Sequence, residues 1–171
     1  MANYVKNGVG KYVYYTGTAT SWLYADTTST KYYSSGGYFY GTNGNDVIST
    51  SSGLAATLCG GTGDDYYYLN SAKTLVYEAA NAGIDTIDTW FSYQLLSPNV
   101  ENLYVRSADS FGFGNSLDNI ITGGSGSQTL WGAAGNDVLT GGAGNDVFII
   151  NGGGSTDLIT DFSAGDKVRL A

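Results

Sequence analysis

Asp46, Asp65, Asp137 and Asp146 each stand sixth in a nine-residue phrase: GTNGNDVIS from position 41, GGTGDDYYY from 60, GAAGNDVLT from 132 and GGAGNDVFI from 141. A carboxylate recurring at a fixed place among glycines suits one kind of chemistry. Hard cations such as Ca²⁺ collect six to eight oxygens, mixing carboxylates with backbone carbonyls, and a glycine-rich turn can bring its carbonyls inward. A lone aspartate in such a turn reads as an Asx-turn former. Its repetition in matched phrases selects the cation. Softer metals need imidazole or thiolate ligands, and this chain has no His and one Cys, Cys59.

The elements that must position these carboxylates follow from the same phrase. G-x-x-G-x-D is a tight turn, and the three residues after it, apolar in the middle, make a very short strand. Turn, strand, turn, strand closes a coil of two phrases. Stacked coils give parallel sheets on two faces, and each unit can bury its apolar residue only against its neighbours. Two degenerate phrases, GNSLDNIIT from 114 and GGSGSQTLW from 123, extend the run without a break to 149. Strand centres can be placed at a step of roughly nine residues from Tyr14 to Arg169, through Leu23, Tyr32, Phe39, Ile48, Tyr104 and Leu139. Gln94, Gly112 and Arg169 are poor core residues at that step. The expectation is an all-β, parallel β-solenoid. Residues 1–40 form an aromatic-rich β region that continues it, and 41–171 form the roll proper. A looped connector is expected at about 78–113, where EAANAGIDTID and SYQLLSPNVENL carry extra residues and Pro98 marks a loop.

Composition agrees and excludes other classes. With 26 Gly, 15 Tyr and one Pro among 171 residues, the chain suits a periodic β structure. Glycine costs roughly 1 kcal/mol against alanine inside a helix, which argues against long helices. A net charge of −8 with 7 Lys+Arg leaves no basic patch for nucleic acid. No apolar run reaches the roughly 18 residues of a membrane span, and the N-terminus MANYVKNGVGKY has no apolar signal-peptide core. A single Cys cannot form an internal disulfide, so a metal is the natural staple.

The phrase G-G-x-G-x-D-x-U-x, with U a large apolar residue, resembles the hemolysin-type calcium-binding (RTX) nonapeptide. The likeness is strong over 114–149 and clear at 41–49 and 60–68. VYEAANAGIDTID with VENLYV is similar to the connector that precedes such arrays. TDLITDFSAGDKVRL resembles the segment that closes them, as in the C-terminal domain of serralysin-type proteases. The resemblance implies a right-handed parallel β-roll with calcium between turns on one side, two phrases apart. It also implies an extracellular or cell-surface protein exported by type I secretion, which reads a C-terminal signal.

On that spacing Asp46 faces Asp65, Asn119 with help from Asp118 faces Asp137, Asp137 faces Asp157, and Asp146 lies between Gln128 and Asp166. Gly132, Gly135, Gly141, Gly142 and Gly144 supply the turns and their carbonyls. About three to five ions follow from the ligand count. Sites using Asn119 or Gln128 lose a charge and should be weaker or empty. Asp64, Asp88 and Asp161 are further candidates.

The expected function is that of a calcium-binding accessory module of a secreted bacterial protein, folding on calcium. Polysaccharide is the candidate ligand, stacked on outward aromatics at Trp22, Tyr24, Tyr38, Tyr40, Tyr77 and Trp131. A neighbouring domain, protruding loops or self-association would also cover such an apolar face. A calcium-stapled spacer of an adhesin or surface-layer protein is the alternative. Ice binding would need a long outward Thr/Asn rank, and only Thr42 and Thr62 recur. Without His, neither a zinc HExxH motif nor a Ser-His-Asp triad can form. The chain is therefore expected to carry no catalysis.

Overall fold

A computed structural model describes residues 37–50, 53, 55–152 and 154–171 in full, and strands within 3–34 by their backbone. Among these residues there is no helix. The chain divides into two compact units, Met1–Asp85 and Thr86–Ala171.

The first unit holds β1 (Asn3–Lys6), β2 (Tyr12–Thr16), β3 (Tyr24–Ala25), β4 (Thr30–Ser34), β5 (Gly37–Tyr40), β6 (Asp46–Thr50), β7 (Ala56–Cys59), β8 (Tyr66–Leu69) and β9 (Leu75–Val76). Even strands β4, β6 and β8 pair in parallel through Tyr32↔Ile48 and Ile48↔Tyr67. Odd strands β5, β7 and β9 do the same through Phe39↔Leu58 and Leu58↔Val76. Successive strands thus alternate between two sheets, as a coil of two phrases requires. The central residues Phe39, Ile48, Leu58, Tyr67 and Val76 are all buried.

The first three strands depart from the expected solenoid. β1 pairs with β2, β2 with β5 and β3 with β4, all antiparallel. The nine-residue rhythm at Tyr14 therefore does not mark a stacked coil, and among the described residues parallel stacking begins at β4 and β5. This stretch lacks the sixth-position carboxylate and its turn glycines, so nothing in its sequence imposes the coil. Trp22 and Leu23 lie outside the described residues, as do the side chains of Tyr14, Tyr24 and Tyr32.

The second unit holds β10 (Thr86–Thr89), β11 (Tyr93–Leu95), β12 (Asn102–Val105), β13 (Phe111–Phe113), β14 (Ile120–Gly123), β15 (Thr129–Trp131), β16 (Val138–Thr140), β17 (Val147–Ile150), β18 (Leu158–Ile159) and β19 (Lys167–Leu170). One parallel column runs Ile87–Leu103–Ile121–Leu139–Ile159. The other runs Gln94–Gly112–Leu130–Phe148–Val168. Two centres read from the rhythm are off by one: Leu103, not Tyr104, points inward, and Val168, not Arg169, pairs with Phe148. The extra residues before each strand shift its phase, and a one-residue slip exchanges the faces.

The segment read as a looped connector is more regular than expected. Within 86–113 it carries β10, β11, β12 and β13, all in parallel register. Gly112, a poor core residue on paper, sits in a filled core: an added Cβ would lie 2.7 Å from Val105 Cγ2 and 3.2 Å from Leu130 Cδ2. Its neighbours occupy the volume that its own side chain would take.

Candidate metal centre

The sixth-position residues form ladders. Each donates its backbone N–H to Oδ1 of the sixth residue one coil later. In the first unit Asp46 N–H donates to Asp65 at 2.8 Å, and Asp65 N–H to Asp85 at 2.8 Å. In the second unit one ladder runs from Asn119 to Asp137 (2.8 Å) and on to Asp157 (3.1 Å). Its twin on the other side runs from Gln128 to Asp146 (2.7 Å) and on to Asp166 (2.8 Å). The pairs read at two-phrase spacing are therefore neighbours in space. The phrase's short strand fixes the residue before it, and parallel stacking repeats that residue once per coil.

Buried carboxylates this regular need a counter-charge. Asp46, Asp65, Asp137 and Asp146 are each 1% exposed. One Oδ of each of Asp65 and Asp137 faces inward with no hydrogen-bond donor among the described residues. A buried charge left in that state is costly. Burial is the main cause that pushes the Asp65 carboxyl up to about 8 and that of Asp137 to about 6, and neighbouring carboxylates add to it. Burial raises Asp146 in the same way. Each of these carboxylates wants either a proton or a cation, and an all-oxygen donor set suits calcium.

The glycines fit around those oxygens. An added Cβ on Gly132 would collide with Asp137 Oδ2, and one on Gly141 with Asp146 Oδ2. The first place of the phrase is thus glycine because the sixth residue folds back onto it. Gly135 has φ +115°, a region disfavoured for residues with a Cβ, and a Cβ there would strike Leu117 O of the coil before. Gly142 and Gly144 approach the carbonyls of Gly124 and Gly126 in the same way.

Where the phrase has lost its aspartate, an amide has taken over. Asn119 Nδ2 donates to Val100 O at 3.2 Å and to Glu101 O at 3.1 Å. Gln128 Nε2 donates to Ser107 O at 3.2 Å and Ser125 O at 3.3 Å. Both side chains are buried. Their N–H groups engage inward carbonyls, where an aspartate would have offered only acceptors.

The other candidates separate. Asp118 is exposed and accepts Asn136 N–H at 2.7 Å, forming an outer strap between coils. Asp64 does the same for Ile84 N–H at 2.9 Å. Asp161 caps two backbone N–H groups, those of Gly141 (2.9 Å) and Gly142 (2.8 Å). Asp88 is removed from the metal set, because Arg106 holds it bidentately at 2.8 and 2.7 Å. Asp166 is engaged on both oxygens, by Asp146 N–H and by Ser163 N–H at 2.7 Å. Those hydrogen bonds hold its carboxyl below the usual range.

Two buried acidic residues beside the ladder of Asp46 and Asp65 are not among the sequence candidates. Asp85 continues the ladder after Asp65, and Glu78 is buried beside both. The G-x-D of NAGID carries the signal for Asp85, once the two extra residues before it are allowed for. Glu78 stands 18 residues after Gly60, the spacing of one two-phrase coil, and accepts Gly60 N–H at 3.1 Å.

The aromatic candidates fall in both units. In the first, Tyr38, Tyr40 and Tyr77 are exposed. The register of β5, β7 and β9 puts Tyr40 and Tyr77 in one column, two strand spacings or roughly 10 Å apart. In the second, Trp131 is half-buried, with its indole N–H on Asn151 Oδ1 at 3.0 Å and its ring 6.0 Å edge-on from Phe113. Tyr93, overlooked in the sequence, packs 5.1 Å from Phe113 and is exposed.

The fold and these ladders together define a parallel β-roll of stacked nonapeptide phrases. Residues 38–53 and 113–148 match, in four copies, the family of the RTX calcium-binding nonapeptide repeat. Two curated proteins of Rhizobium meliloti (strain 1021) are similar along nearly the whole chain. Endo-1,3-1,4-beta-glycanase EglC is 51% identical over 170 residues, covering 99% of this chain and 35% of the relative. Endo-1,3-1,4-beta-glycanase ExsH is 50% identical with the same coverage. The chain thus spans about a third of the length of the curated relatives it matches. No solved structure matches it significantly. The relatives correct the expectation of a chain without enzymatic function, since proteins sharing half its residues end to end are named as glycanases. Missing His excludes particular catalytic devices from 171 residues. It does not exclude glycan hydrolysis, which runs on carboxylates.

Proposed function

We propose that this chain is the calcium-folded β-roll of a secreted polysaccharide-degrading enzyme. Nearly complete coverage of the chain by two glycanases at half identity carries this reading. Calcium is held by Asp46 with Asp65, by Asp137 with Asp157, and by Asp146 with Asp166, together with turn carbonyls around Gly132, Gly135, Gly141, Gly142 and Gly144. The bound ion supplies the positive charge that these buried carboxylates lack. Binding free energy then becomes folding free energy. At low calcium the stacked carboxylates repel and the roll does not close, which suits passage through a type I exporter. At millimolar calcium outside the cell it folds.

Tyr38, Tyr40 and Tyr77 offer planar apolar surface to sugar rings, and Trp131 with Phe113 does so in the second unit. The glycan class follows the relatives' names, a β-glycan with 1,3 and 1,4 linkages. The test is co-sedimentation with insoluble 1,3-1,4-linked β-glycans, a mixed-linkage β-glucan among them, in millimolar calcium and in EDTA, with circular dichroism on both samples. Retention in calcium, release in EDTA and weakened retention of the Tyr40→Ala/Tyr77→Ala variant are expected. A calcium-folded chain that no β-glucan retains would refute the glycan-facing role and favour the spacer. An identical spectrum and melting curve in both buffers would refute calcium folding.

A further inference from the structure

Asp65, Glu78 and Asp85 each offer a carboxylate oxygen, and the three oxygens lie within 4.8 Å of one another. All three residues are buried. We propose that they form a calcium site of their own, in which Glu78 supplies a carboxylate from outside the nonapeptide phrase.

The spacing fits an ion. Oxygens bound to one calcium at about 2.3–2.6 Å stand at most about 5 Å apart. A second observation points to a ligand independently of the clustering. Asp65 is 1% exposed, and its Oδ2 has no hydrogen-bond donor among the described residues, while Oδ1 is taken by Asp46 N–H at 2.8 Å. The charges that act on Asp65 belong to Asp46, Asp85 and Glu78, and every one is negative. The residue that would have to bring the third carboxylate is held in place. Glu78 Oε1 accepts Gly60 N–H at 3.1 Å and the Tyr67 phenol O–H. Tyr67 is a fully buried core residue of β8, so the strand's packing aims the hydroxyl. Burial and the Glu78 hydrogen bond raise its pKa far above the ordinary range, which keeps it a donor.

Tyr67 is then a positioning residue and Glu78 a ligand. Three carboxylates against the two of a repeat-only site make this the tightest position in the chain, because calcium affinity rises with ligand charge. The three groups of the cluster all offer carboxylate oxygen, which disfavours zinc and copper.

The inference rests on the calcium reading above, and the experiment separates the two. Isothermal titration of calcium into the full chain is compared for the parent, Glu78→Gln and Tyr67→Phe. Glu78→Gln is expected to lose the tightest ion, lowering the stoichiometry by one while later binding remains. Tyr67→Phe keeps the ring in the core and the stoichiometry, and weakens the tightest event roughly 10–100-fold, as loss of a ligand's supporting partner does. Unchanged number and affinities in Glu78→Gln overturn the site. Should Glu78→Gln fail to fold by circular dichroism, anomalous diffraction from the parent chain crystallised with calcium decides. A peak bounded by the three carboxylates supports the site, and peaks elsewhere without one here overturn it. A parent chain that takes up no calcium sinks the calcium reading as a whole.

Discussion

Replacing Asp137 by Asn should change stability in opposite directions with and without calcium. The substitution keeps the shape and keeps an oxygen to accept Asn119 N–H, now at 2.8 Å. It removes only the charge. Without calcium that charge is a liability, because burial and neighbouring carboxylates push the carboxyl up to about 6. Relative to an unfolded aspartate near 3.9, and discounted for solvent screening, this corresponds to roughly 1–3 kcal/mol against folding at neutral pH. Asn removes that cost. With calcium at about 100 times its Kd, one site contributes about 2.7 kcal/mol to folding. Asp137 joins the rungs to Asn119 and Asp157, so its charge is worth at least one site. At about 2–4 °C per kcal/mol for a chain of this size, calcium should raise the melting temperature of Asp137→Asn about 5–10 °C less than that of the parent. The calcium-free variant should melt about 2–12 °C higher than the calcium-free parent. Thermal melts by circular dichroism, with sulfate added to keep the calcium-free fold populated, measure both. Equal destabilisation in the two buffers would refute the argument, since Asp137 would then act only as a hydrogen-bond acceptor.

Three further outcomes follow from the same geometry. In calcium-free solution stability should rise on acidification: the folded pKa values of Asp65 (about 8) and Asp137 (about 6) lie above the unfolded carboxylate value, so the folded state binds more protons. Stability is then lost as pH climbs from about 4 to 8, and melts that improve with pH across that window would contradict it. Gly112→Ala should cost about 1–3 kcal/mol in urea unfolding by overpacking against Val105 and Leu130, without altering calcium stoichiometry; a neutral effect would mean the core has slack there. Arg106→Ala strands buried Asp88 and should destabilise by about 1–4 kcal/mol, discounted because Arg106 is partly exposed, again with unchanged stoichiometry; a lost calcium ion would return Asp88 to the metal set.

Much of the roll was legible because its information is local. The nine-residue phrase fixes turn, strand and sixth-position carboxylate within itself, so the stacking of Asp46 on Asp65 and of Asn119 on Asp137 could be read by counting. Glycines at the first and fourth places announce where a Cβ cannot go, as Gly132 and Gly135 show. Charge, the missing His and the single Cys restricted the metal to one that takes oxygen. Counting failed at some of the strands that follow added residues. Phase was lost at Leu103 and Val168, because a single extra residue in a turn rotates the next strand by a face. Absence of motif in the first strands left pairing direction open, and β1, β2 and β3 took antiparallel partners. The three-carboxylate cluster was hidden for the same reason. Asp65 and Asp85 sit on one ladder, but Glu78 reaches them only because the core hydroxyl of Tyr67 and the N–H of Gly60 meet it there. The sequence by itself determined the repeating unit and the charge each turn carries. The tertiary structure decided which carboxylates come together, since that depends on how coils of unequal length come into register.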